Sequence, residues 1–356
     1  MKVLVRADAS SEIGSGHVVR TRTLAHALKD RGADVTFVCR SQTGNLIESI
    51  REDSFDVCAL PQPDKPLEGG DLYARWLGVT QEEDARQTHD AVGPERWNVI
   101  IVDHYGLDIE WETAMRGQAD RLVVVDDLAN RRHDCDLLID QNYAIEPEAR
   151  YRHLVPAACD LMLGTRYALL KPDYASLRAE IPKRSNVVER MLVFFGAAAG
   201  LELPEMTLKA LMTPALQHLH VDLVLGAGPD IKVESFNAQR SGSIKVYHGL
   251  PHLADLMANA DIAIGAGGAT TWERMCMGLP SIVVAIADNQ RPATEALAQD
   301  DLICYLGRQS EVTVEDIAMA VDTLSQDVAR RRSMSVRGME NVDGLGVTRV
   351  ADAMVR

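Results

Sequence analysis

The chain lacks a long apolar run, a pair of closely spaced cysteines and an excess of basic charge. No apolar stretch approaches the length of a membrane span, and Arg6 and Asp8 interrupt the first residues, which do not read as a signal peptide. The six cysteines include no CxxC pair and are expected to be reduced thiols of a cytoplasmic protein. We therefore expect no membrane insertion.

Basic residues are too few for a nucleic-acid-binding protein. Asp and Glu number 52 against 37 Lys and Arg, which gives a formal net charge of −15. A small anion remains an acceptable ligand if backbone N–H groups hold it. With 46% hydrophobic residues in 356, the chain is long and apolar enough for two packed domains. The sequence does not indicate an oligomeric state.

Strand and helix patterns alternate along the chain and restart once. Residues 1–7 and 34–39 read as strands, and 17–31 as the helix between them, which is typical of a parallel sheet. A second series begins at the strand RMLVFFG, followed by a helix over 205–218. We predict an α/β fold with two doubly wound, Rossmann-like domains facing a cleft, with ligands at the carboxyl ends of the strands. The predicted domain limits are 1–163 for the first domain, 164–186 for a connector and 187–356 for the second domain.

A glycine loop, IGSGH, opens the first predicted helix. It lacks the third glycine of a nicotinamide-binding fingerprint, and the next strand ends Cys39-Arg40 without a carboxylate, so a dehydrogenase is improbable and no cofactor is expected. Gly14 and Gly16 allow close backbone approach, and the helix N-terminus favours an oxyanion. The same helix dipole disfavours imidazolium, so His17 is expected to be neutral and fit to take a proton from water. The alternatives are a packing turn and a histidine that only caps or packs.

A second glycine loop, GAGGATTWERMCMGLP, follows a buried strand and opens another helix. Hydroxyls of Thr270 and Thr271, together with N–H groups after Gly267 and Gly268, suit a diphosphate. Glu273 falls in the first helical turn, where it either accepts hydrogen bonds from a ribose diol or completes a capping box. No GxxxxGK[ST] motif is present, which excludes a P-loop NTPase.

Polar residues also follow three other strands. Asn289 and Gln290 come after the strand PSIVVAI and suit sugar hydroxyls or acetamido groups, although a simple turn explains them equally well. The remaining groups that resemble metal ligands are Asp103, His104, Asp126, Asp127 and His133. Their spacing matches no metal motif, so we expect salt bridges or caps there and no metal site.

Five segments carry a resemblance to a known family. These are VRADASSEIGSGHVVRTRTLA, VDHYG, VVDDLANRRHDCDLLIDQN, LGTRYALLKPDY and GAGGATTWERMCMGLPSIVVAIADNQ. In this order they resemble the UDP-2,4-diacetamido-2,4,6-trideoxy-β-L-altropyranose hydrolases of bacterial pseudaminic acid biosynthesis, from residue 1 to about residue 307. The resemblance implies a GT-B architecture related to the glycosyltransferase that makes lipid II. It also implies metal-independent hydrolysis of a UDP-sugar by water, with inversion at the anomeric carbon.

The resemblance assigns roles to residues of this chain. It implies that His17 is catalytic, that Tyr105 and Asn289 lie in the active site, and that Glu273 grips the ribose of UDP. Together with the loops above, the expected substrate-binding residues are Gly14, Gly16, Arg20, Tyr105, Gly196, Gly267, Gly268, Ala269, Thr270, Thr271, Glu273, Asn289 and Gln290.

One stretch departs from the family pattern. After RMLVFFG, relatives commonly have a glycine, a small polar residue and Asp, whereas this chain has Gly196-Ala197-Ala198-Ala199-Gly200. The sequence therefore predicts a UDP-sugar hydrolase and leaves two alternatives. These are a GT-B glycosyltransferase with a UDP-sugar donor, and a non-catalytic nucleotide-sugar-binding protein, which the departure favours slightly.

Overall fold

The computed structural model describes residues 1–63, 67, 69, 71–181, 184–196, 199–226, 228, 230–250 and 252–355. The chain forms two compact units. Unit 1 comprises Met1–Asn142, Glu146–Leu169 and Gly346–Arg356, and unit 2 comprises Tyr143–Ile145 and Leu170–Leu345.

Unit 1 is built on a seven-stranded parallel sheet with the order β3-β2-β1-β4-β5-β6-β7. Its strands are β1 (Lys2–Ala7), β2 (Asp34–Arg40), β3 (Asp56–Leu60), β4 (Trp97–Asp103), β5 (Ala119–Val125), β6 (Leu137–Asp140) and β7 (Asp160–Leu163). Its helices are α1 (Gly16–Lys29), α2 (Ile47–Glu52), α3 (Leu72–Leu77), α4 (Gln81–Val92), α5 (Ile109–Met115), α6 (Pro147–Tyr151) and α15 (Gly346–Met354), with 3₁₀ turns at Arg116–Gln118 and Thr165–Tyr167.

Both faces of this sheet are covered, as the long apolar runs of its strands require. Successive side chains of a strand point to opposite faces, so Val3 and Val5 join one apolar cluster while Leu4 joins the other. The first cluster includes residues of α1, and the second includes Trp111 and Met115 of α5. Unit 1 is therefore doubly wound, as the sequence predicted.

The C-terminal helix α15 corrects the predicted domain limits. The sequence assigned 187–356 to the second domain, but α15 lies in unit 1 and packs against α1. Val347, Val350 and Met354 recur at helical spacing and are buried in the first cluster of unit 1, so this helix completes that core. The predicted connector 164–186 is also divided, because its residues up to Leu169 belong to unit 1 and the rest to unit 2.

Unit 2 repeats the architecture with six parallel strands in the order β10-β9-β8-β11-β12-β13. Its strands are β8 (Arg190–Phe194), β9 (His220–Leu225), β10 (Ile244–His248), β11 (Ile262–Ala266), β12 (Ser281–Ala285) and β13 (Cys304–Arg308). Its helices are α7 (Pro172–Arg178), α8 (Glu202–Ala210), α9 (Glu234–Asn237), α10 (Ala254–Asn259), α11 (Thr270–Cys276), α12 (Arg291–Gln299), α13 (Val314–Gln326) and α14 (Val328–Asn341), with 3₁₀ turns at Asp288–Gln290 and Gln309–Glu311.

Helix α8 is shorter and begins earlier than the helix predicted over 205–218. Pro204 is accepted because it lies in the first turn, where an N–H has no partner within the helix. Pro214 restricts the residue before it to extended conformations, so the helix cannot continue through Thr213.

Each sheet reverses its strand order once, and that point is where ligands bind in open parallel sheets. In unit 1 the reversal lies between β1 and β4, and in unit 2 between β8 and β11. The two glycine loops follow β1 and β11 directly, so each lies at the switch point of its own sheet. In the described part of the chain, no helix has both the length and the apolar character needed to cross a membrane.

Candidate functional site

His17 lies at the switch point of unit 1. It is the second residue of α1, and the preceding turn is closed by a 2.8 Å hydrogen bond from the N–H of Gly14 to the carbonyl of Ser10. Gly14 has φ of +79°, a left-handed conformation that a side chain would strain. The predicted glycine turn and helix N-terminus are therefore present.

Asp103, the last residue of β4, fixes the orientation of His17. Nδ1 of the buried imidazole lies 2.6 Å from Oδ1 of Asp103. A neutral ring that donates from Nδ1 to a carboxylate keeps its lone pair on Nε2. Among the described residues, nothing forms a hydrogen bond with Nε2. The pair can thus accept a proton at a defined atom.

Arg20 and Asp127 extend this pair into a buried network. Arg20 lies one turn after His17 on α1, and its Nε and Nη2 lie 2.6 and 2.7 Å from the two oxygens of Asp103. Its Nη1 donates to Asp127 at 2.7 Å. The sequence predicted substrate binding by Arg20, but its guanidinium is buried and engaged with these two carboxylates. In this arrangement it holds Asp103 in place.

Tyr105 joins the same network. Its hydroxyl donates to Oδ2 of Asp127 at 2.5 Å, and its ring meets the His17 ring edge-on with centroids 4.4 Å apart. Tyr73 and Trp76 contact the other parts of the Tyr105 ring, at centroid distances of 5.2 and 6.1 Å. The structure therefore brings Tyr105 of the loop after β4 next to His17, which lies on α1.

Charge around the imidazole is fixed by burial and ion pairing. Burial alone would raise the pKa of Asp103, but the charge of Arg20 and the hydrogen bonds from Arg20 and His17 outweigh it and hold that pKa at about 2. Burial lowers the pKa of His104 to about 4, and its Nδ1 accepts the N–H of Gly106 at 2.9 Å. Near neutral pH, Asp103 is therefore an anion and the neighbouring His104 is neutral.

The other carboxylates at the strand ends form ion pairs and caps, as predicted. Asp126 accepts from Arg131 and from the N–H of Ala129, both at 2.8 Å. His133 Nδ1 lies 2.7 Å from Glu112. Within the described residues, no three His, Cys, Asp or Glu side chains are grouped so that they could hold a metal ion.

The second glycine loop lies at the switch point of unit 2. A Cβ on Gly267 would lie 2.5 Å from Oγ1 of Thr294, so only glycine fits this close approach. The N–H groups of Gly268, Ala269 and Thr270 donate no backbone hydrogen bond within the described part of the chain. These three donors precede or open α11 and are available to an anionic ligand.

Thr271 and Arg274 hold the second glycine loop in place through hydrogen bonds. The hydroxyl of buried Thr271 donates to the carbonyl of Ala266 at 3.3 Å and accepts from Arg274 at 3.0 Å. Arg274 also donates to that carbonyl at 2.8 Å and to the hydroxyl of Thr270 at 3.2 Å. The sequence expected both threonines to bind substrate, but the Thr271 hydroxyl is used inside the protein.

Glu273 is not a helix cap. The N-cap of α11 is Ala269, which has no side-chain acceptor, so a capping box cannot form. Burial raises the pKa of Glu273 to about 7, with the Tyr174 hydroxyl and Arg274 acting in the opposite direction. Burial, with a further contribution from Glu273, also raises the pKa of Tyr174. The structure thus keeps this carboxyl partly buried and beside a tyrosine.

Gln290 contacts the second glycine loop, which follows β11. Gly196 follows β8, the other of the two strands that flank the switch point of unit 2. Oε1 of Gln290 accepts the N–H of Ile286 at 3.1 Å, and its Nε2 would lie 3.6 Å from a Cβ on Gly268. Asn289 precedes it in the 3₁₀ turn after β12. Gly196 has φ of +109° after β8. Ala197 and Ala198, part of the departure noted above, lie outside the described residues.

Sequence reasoning missed the role of Asp103 and Asp127 at His17. It noted carboxylates at the ends of two buried strands but could not pair them with α1, because the partners lie 86 and 107 residues away. Their position offered a signal, since β1 and β4 are neighbours across the switch point of this fold.

The sequence of the second unit matches a known domain family, and the whole fold matches solved glycosyltransferase structures. Residues 191–344 match the glycosyltransferase family 28 C-terminal domain. The structure is similar to that of MurG from Acinetobacter baumannii, with a TM-score of 0.68 and 15% identity over 99% of each chain. The chain has the two-domain GT-B fold of glycosyltransferases, and the predicted fold class is confirmed.

Two relatives match over most of their length. The UDP-2,4-diacetamido-2,4,6-trideoxy-β-L-altropyranose hydrolase of Campylobacter jejuni is 24% identical over 300 residues, which cover 84% of this chain and 97% of that protein. The spore coat polysaccharide biosynthesis protein SpsG of Bacillus subtilis is 23% identical over 354 residues, which cover 98% of this chain and 96% of that protein. The resemblance to the altropyranose hydrolase, predicted from the motifs, is confirmed.

Proposed function

We propose that the protein hydrolyses a UDP-linked 2,4-diacetamido-2,4,6-trideoxy sugar to UDP and the free sugar, as a step of nonulosonic acid biosynthesis. The observation that carries the proposal is the His17–Asp103 pair, with Nδ1 held 2.6 Å from a carboxylate. The named activity of the Campylobacter jejuni relative supports the substrate. The match to a glycosyltransferase domain supports a nucleotide-sugar ligand.

His17 is the general base of the proposed reaction. Its Nε2 takes a proton from water while the water oxygen forms a bond to the anomeric carbon. Asp103 holds the Nδ1 proton and stabilises the imidazolium that forms, because its own carboxylate stays ionised. The bond between the anomeric carbon and the phosphate oxygen breaks, its electron pair leaves with UDP, and the configuration at that carbon inverts.

The second glycine loop binds the leaving diphosphate. Negative charge on the bridging oxygen grows as the bond breaks, and preorganised N–H donors lower the energy of that state more than that of bound substrate. Gly268, Ala269 and Thr270 supply these donors in the proposal, and the hydroxyl of Thr270 adds another. Arg274 keeps the loop rigid through its hydrogen bonds to Ala266, Thr270 and Thr271. Glu273 accepts hydrogen bonds from the ribose diol.

The test is incubation with a panel of UDP-sugars in the absence of any acceptor. The proposal expects release of UDP and free sugar from a UDP-linked 2,4-diacetamido-2,4,6-trideoxyhexose, with little release from UDP-N-acetylglucosamine. The matched control is His17→Asn, which keeps the loop and a polar side chain but cannot take a proton at neutral pH. Tight binding of the diacetamido substrate without turnover would instead identify a binding protein.

A glycosyltransferase is the second candidate, favoured by the family 28 match and the likeness to MurG. It would use the same UDP-sugar but transfer the sugar to a hydroxyl of a sugar or lipid acceptor. The same assay separates the two, because a transferase releases UDP slowly until an acceptor is added. Strong stimulation by an acceptor, with little free sugar formed, would favour this candidate.

A further inference from the structure

Unit 1 contains a cavity of about 560 Å³, and one of its lining residues, Trp76, contacts Tyr105 of the His17 network. Its walls come from the loops after β1, β2 and β3 and from α3, at the same carboxyl edge of the sheet. The lining residues include Ser11, Glu12, Gln42, Thr43, Arg75 and Trp76. The volume is within the range of small-molecule sites, which is roughly 300–1,000 Å³.

Hydrogen bonds between the walls fix the shape of this cavity. The N–H of Ser11 donates to the carbonyl of Thr43 at 2.9 Å, and the Ser11 hydroxyl donates to the same oxygen at 3.3 Å. Nε2 of Gln42 donates to the carbonyl of Trp76 at 2.7 Å. The loops after β1 and β2 and helix α3 are thereby joined, so the cavity is preformed rather than a gap between independent loops.

The cavity wall is one aromatic ring away from the catalytic histidine. Trp76 stacks on Tyr105 with an interplanar angle of 24°, and Tyr105 in turn meets His17 edge-on. The Trp76 side of the cavity is therefore in contact with the Tyr105 ring of the His17 network. Indole faces also suit the C–H face of a sugar ring, because both surfaces are apolar while their edges are polar.

Charges in the cavity indicate a neutral ligand rather than a phosphate. Arg75 and Glu12, one cation and one anion, both line it, and both are exposed. Neither takes part in an ion pair with any described residue, so each is available to a ligand. The other polar walls are amides and hydroxyls. A phosphate would meet the Glu12 carboxylate unfavourably, whereas an amide group offers a carbonyl to Arg75 and an N–H to Glu12.

We propose that this cavity binds the sugar ring of the UDP-sugar and that Arg75 and Glu12 select for its acetamido substituents. This inference rests on the proposed function, because it names the part of that substrate that unit 1 recognises. Arg75 donates to an acetamido carbonyl, Glu12 accepts an acetamido N–H, and Trp76 lies against the ring. Specificity for amide-bearing sugars then resides in two exposed side chains outside the His17 network.

The test compares Arg75→Met and Glu12→Gln with Arg96→Met, which changes an exposed arginine of the same unit that does not line the cavity. Loss of a hydrogen bond to a charged group predicts a rise in KM of about 10- to 100-fold for the diacetamido substrate in Arg75→Met. We expect kcat to stay within about threefold, because these residues bind ground and transition states alike. UDP affinity by calorimetry should match the wild type in all three variants. Wild-type KM in both cavity variants would overturn the inference.

A second measurement keeps the inference testable if the proposed function fails. Ligand-observed NMR with free 2,4-diacetamido-2,4,6-trideoxyhexose measures sugar binding without turnover. If the wild type hydrolyses no UDP-sugar but binds this sugar, and Arg75→Met abolishes the binding, the proposed function is wrong and the cavity assignment stands. If the wild type hydrolyses nothing and the free sugar gives no signal, both are wrong.

Discussion

Replacing Asp103 with Asn tests the His17–Asp103 pair of the proposed mechanism, because it exchanges one carboxylate oxygen for an NH2 group. Three donors converge on the Asp103 carboxylate, namely Nδ1 of His17 and two nitrogens of Arg20. An asparagine side chain has one oxygen and one NH2 group, so one of these donors must face another donor. This clash is avoided if the introduced amide donates to Nδ1 of His17. The ring proton must then be on Nε2, so His17 can no longer act as a base at that atom.

The expected magnitude follows from this tautomer change. Loss of general-base assistance, including its orienting carboxylate, reduces kcat by about 10²–10⁴-fold. Stability should also fall, because the side chains of Asp103 and Arg20 are 0% and 8% exposed. Removing one partner of a buried ion pair costs about 3–5 kcal/mol. We expect Asp103→Asn to lower the free energy of unfolding by about 3 kcal/mol or less. Arg20 keeps a partner in this variant, because its Nη1 still donates to Asp127 at 2.7 Å.

The assay is steady-state release of UDP, with UDP affinity and chemical denaturation measured on the same preparations. Asp127→Asn is the matched control, because Asp127 also binds Arg20 but does not contact His17. We expect that control to lose stability comparably while kcat falls less than tenfold. The reasoning is refuted if Asp103→Asn keeps more than about a third of wild-type kcat, or if both variants lose kcat equally.

Four further outcomes are expected. His17→Asn should lower kcat by about 10²–10⁴-fold and leave substrate affinity within a few fold, measured by single-turnover kinetics and calorimetry; retained turnover would return His17 to a packing role. The pKa of Glu273 is raised to about 7, so its carboxylate forms as pH rises through that value. UDP affinity should therefore increase between pH 6 and pH 8 in the wild type and stay flat in Glu273→Gln; parallel curves would exclude a role in ribose binding. Activity should survive EDTA, and loss with recovery on adding Mg²⁺ would contradict the metal-independent reaction. Hydrolysis in ¹⁸O-water should label the sugar, because water attacks carbon; label in UDP would mean attack at phosphorus.

The sequence predicted the parts of this molecule that local patterns determine. Buried apolar runs gave the parallel strands, and the glycines before His17 and after β11 gave the loops at both switch points. The split connector and the placement of α15 escaped prediction, because an amphipathic helix does not indicate which of two apolar surfaces it covers. Its Val347 and Val350 have the same spacing whichever core they join.

The candidate site was predicted by residue type but not by contact. Thr271 and Thr270 look equivalent in the sequence, yet one hydroxyl is buried against Arg274 and Ala266. The orienting carboxylate of His17 comes from β4, and only the strand order places it there. Long-range ion pairs of this kind depend on topology, and local patterning does not determine them.

The position of α15 has a consequence for how the chain folds as it is synthesised. Unit 1 begins at the first residue, but its core needs a helix that starts at Gly346, after all of unit 2 has been made. Translation at about 5–20 residues per second leaves roughly 10–40 s between the emergence of Leu169 and that of the last helix. During this interval unit 2 is being synthesised, and the apolar surface that α15 covers over α1 stays exposed in the nascent chain. The N-terminal unit is then the last to be completed, and shortening the C-terminus by ten residues should impair it while unit 2 still folds.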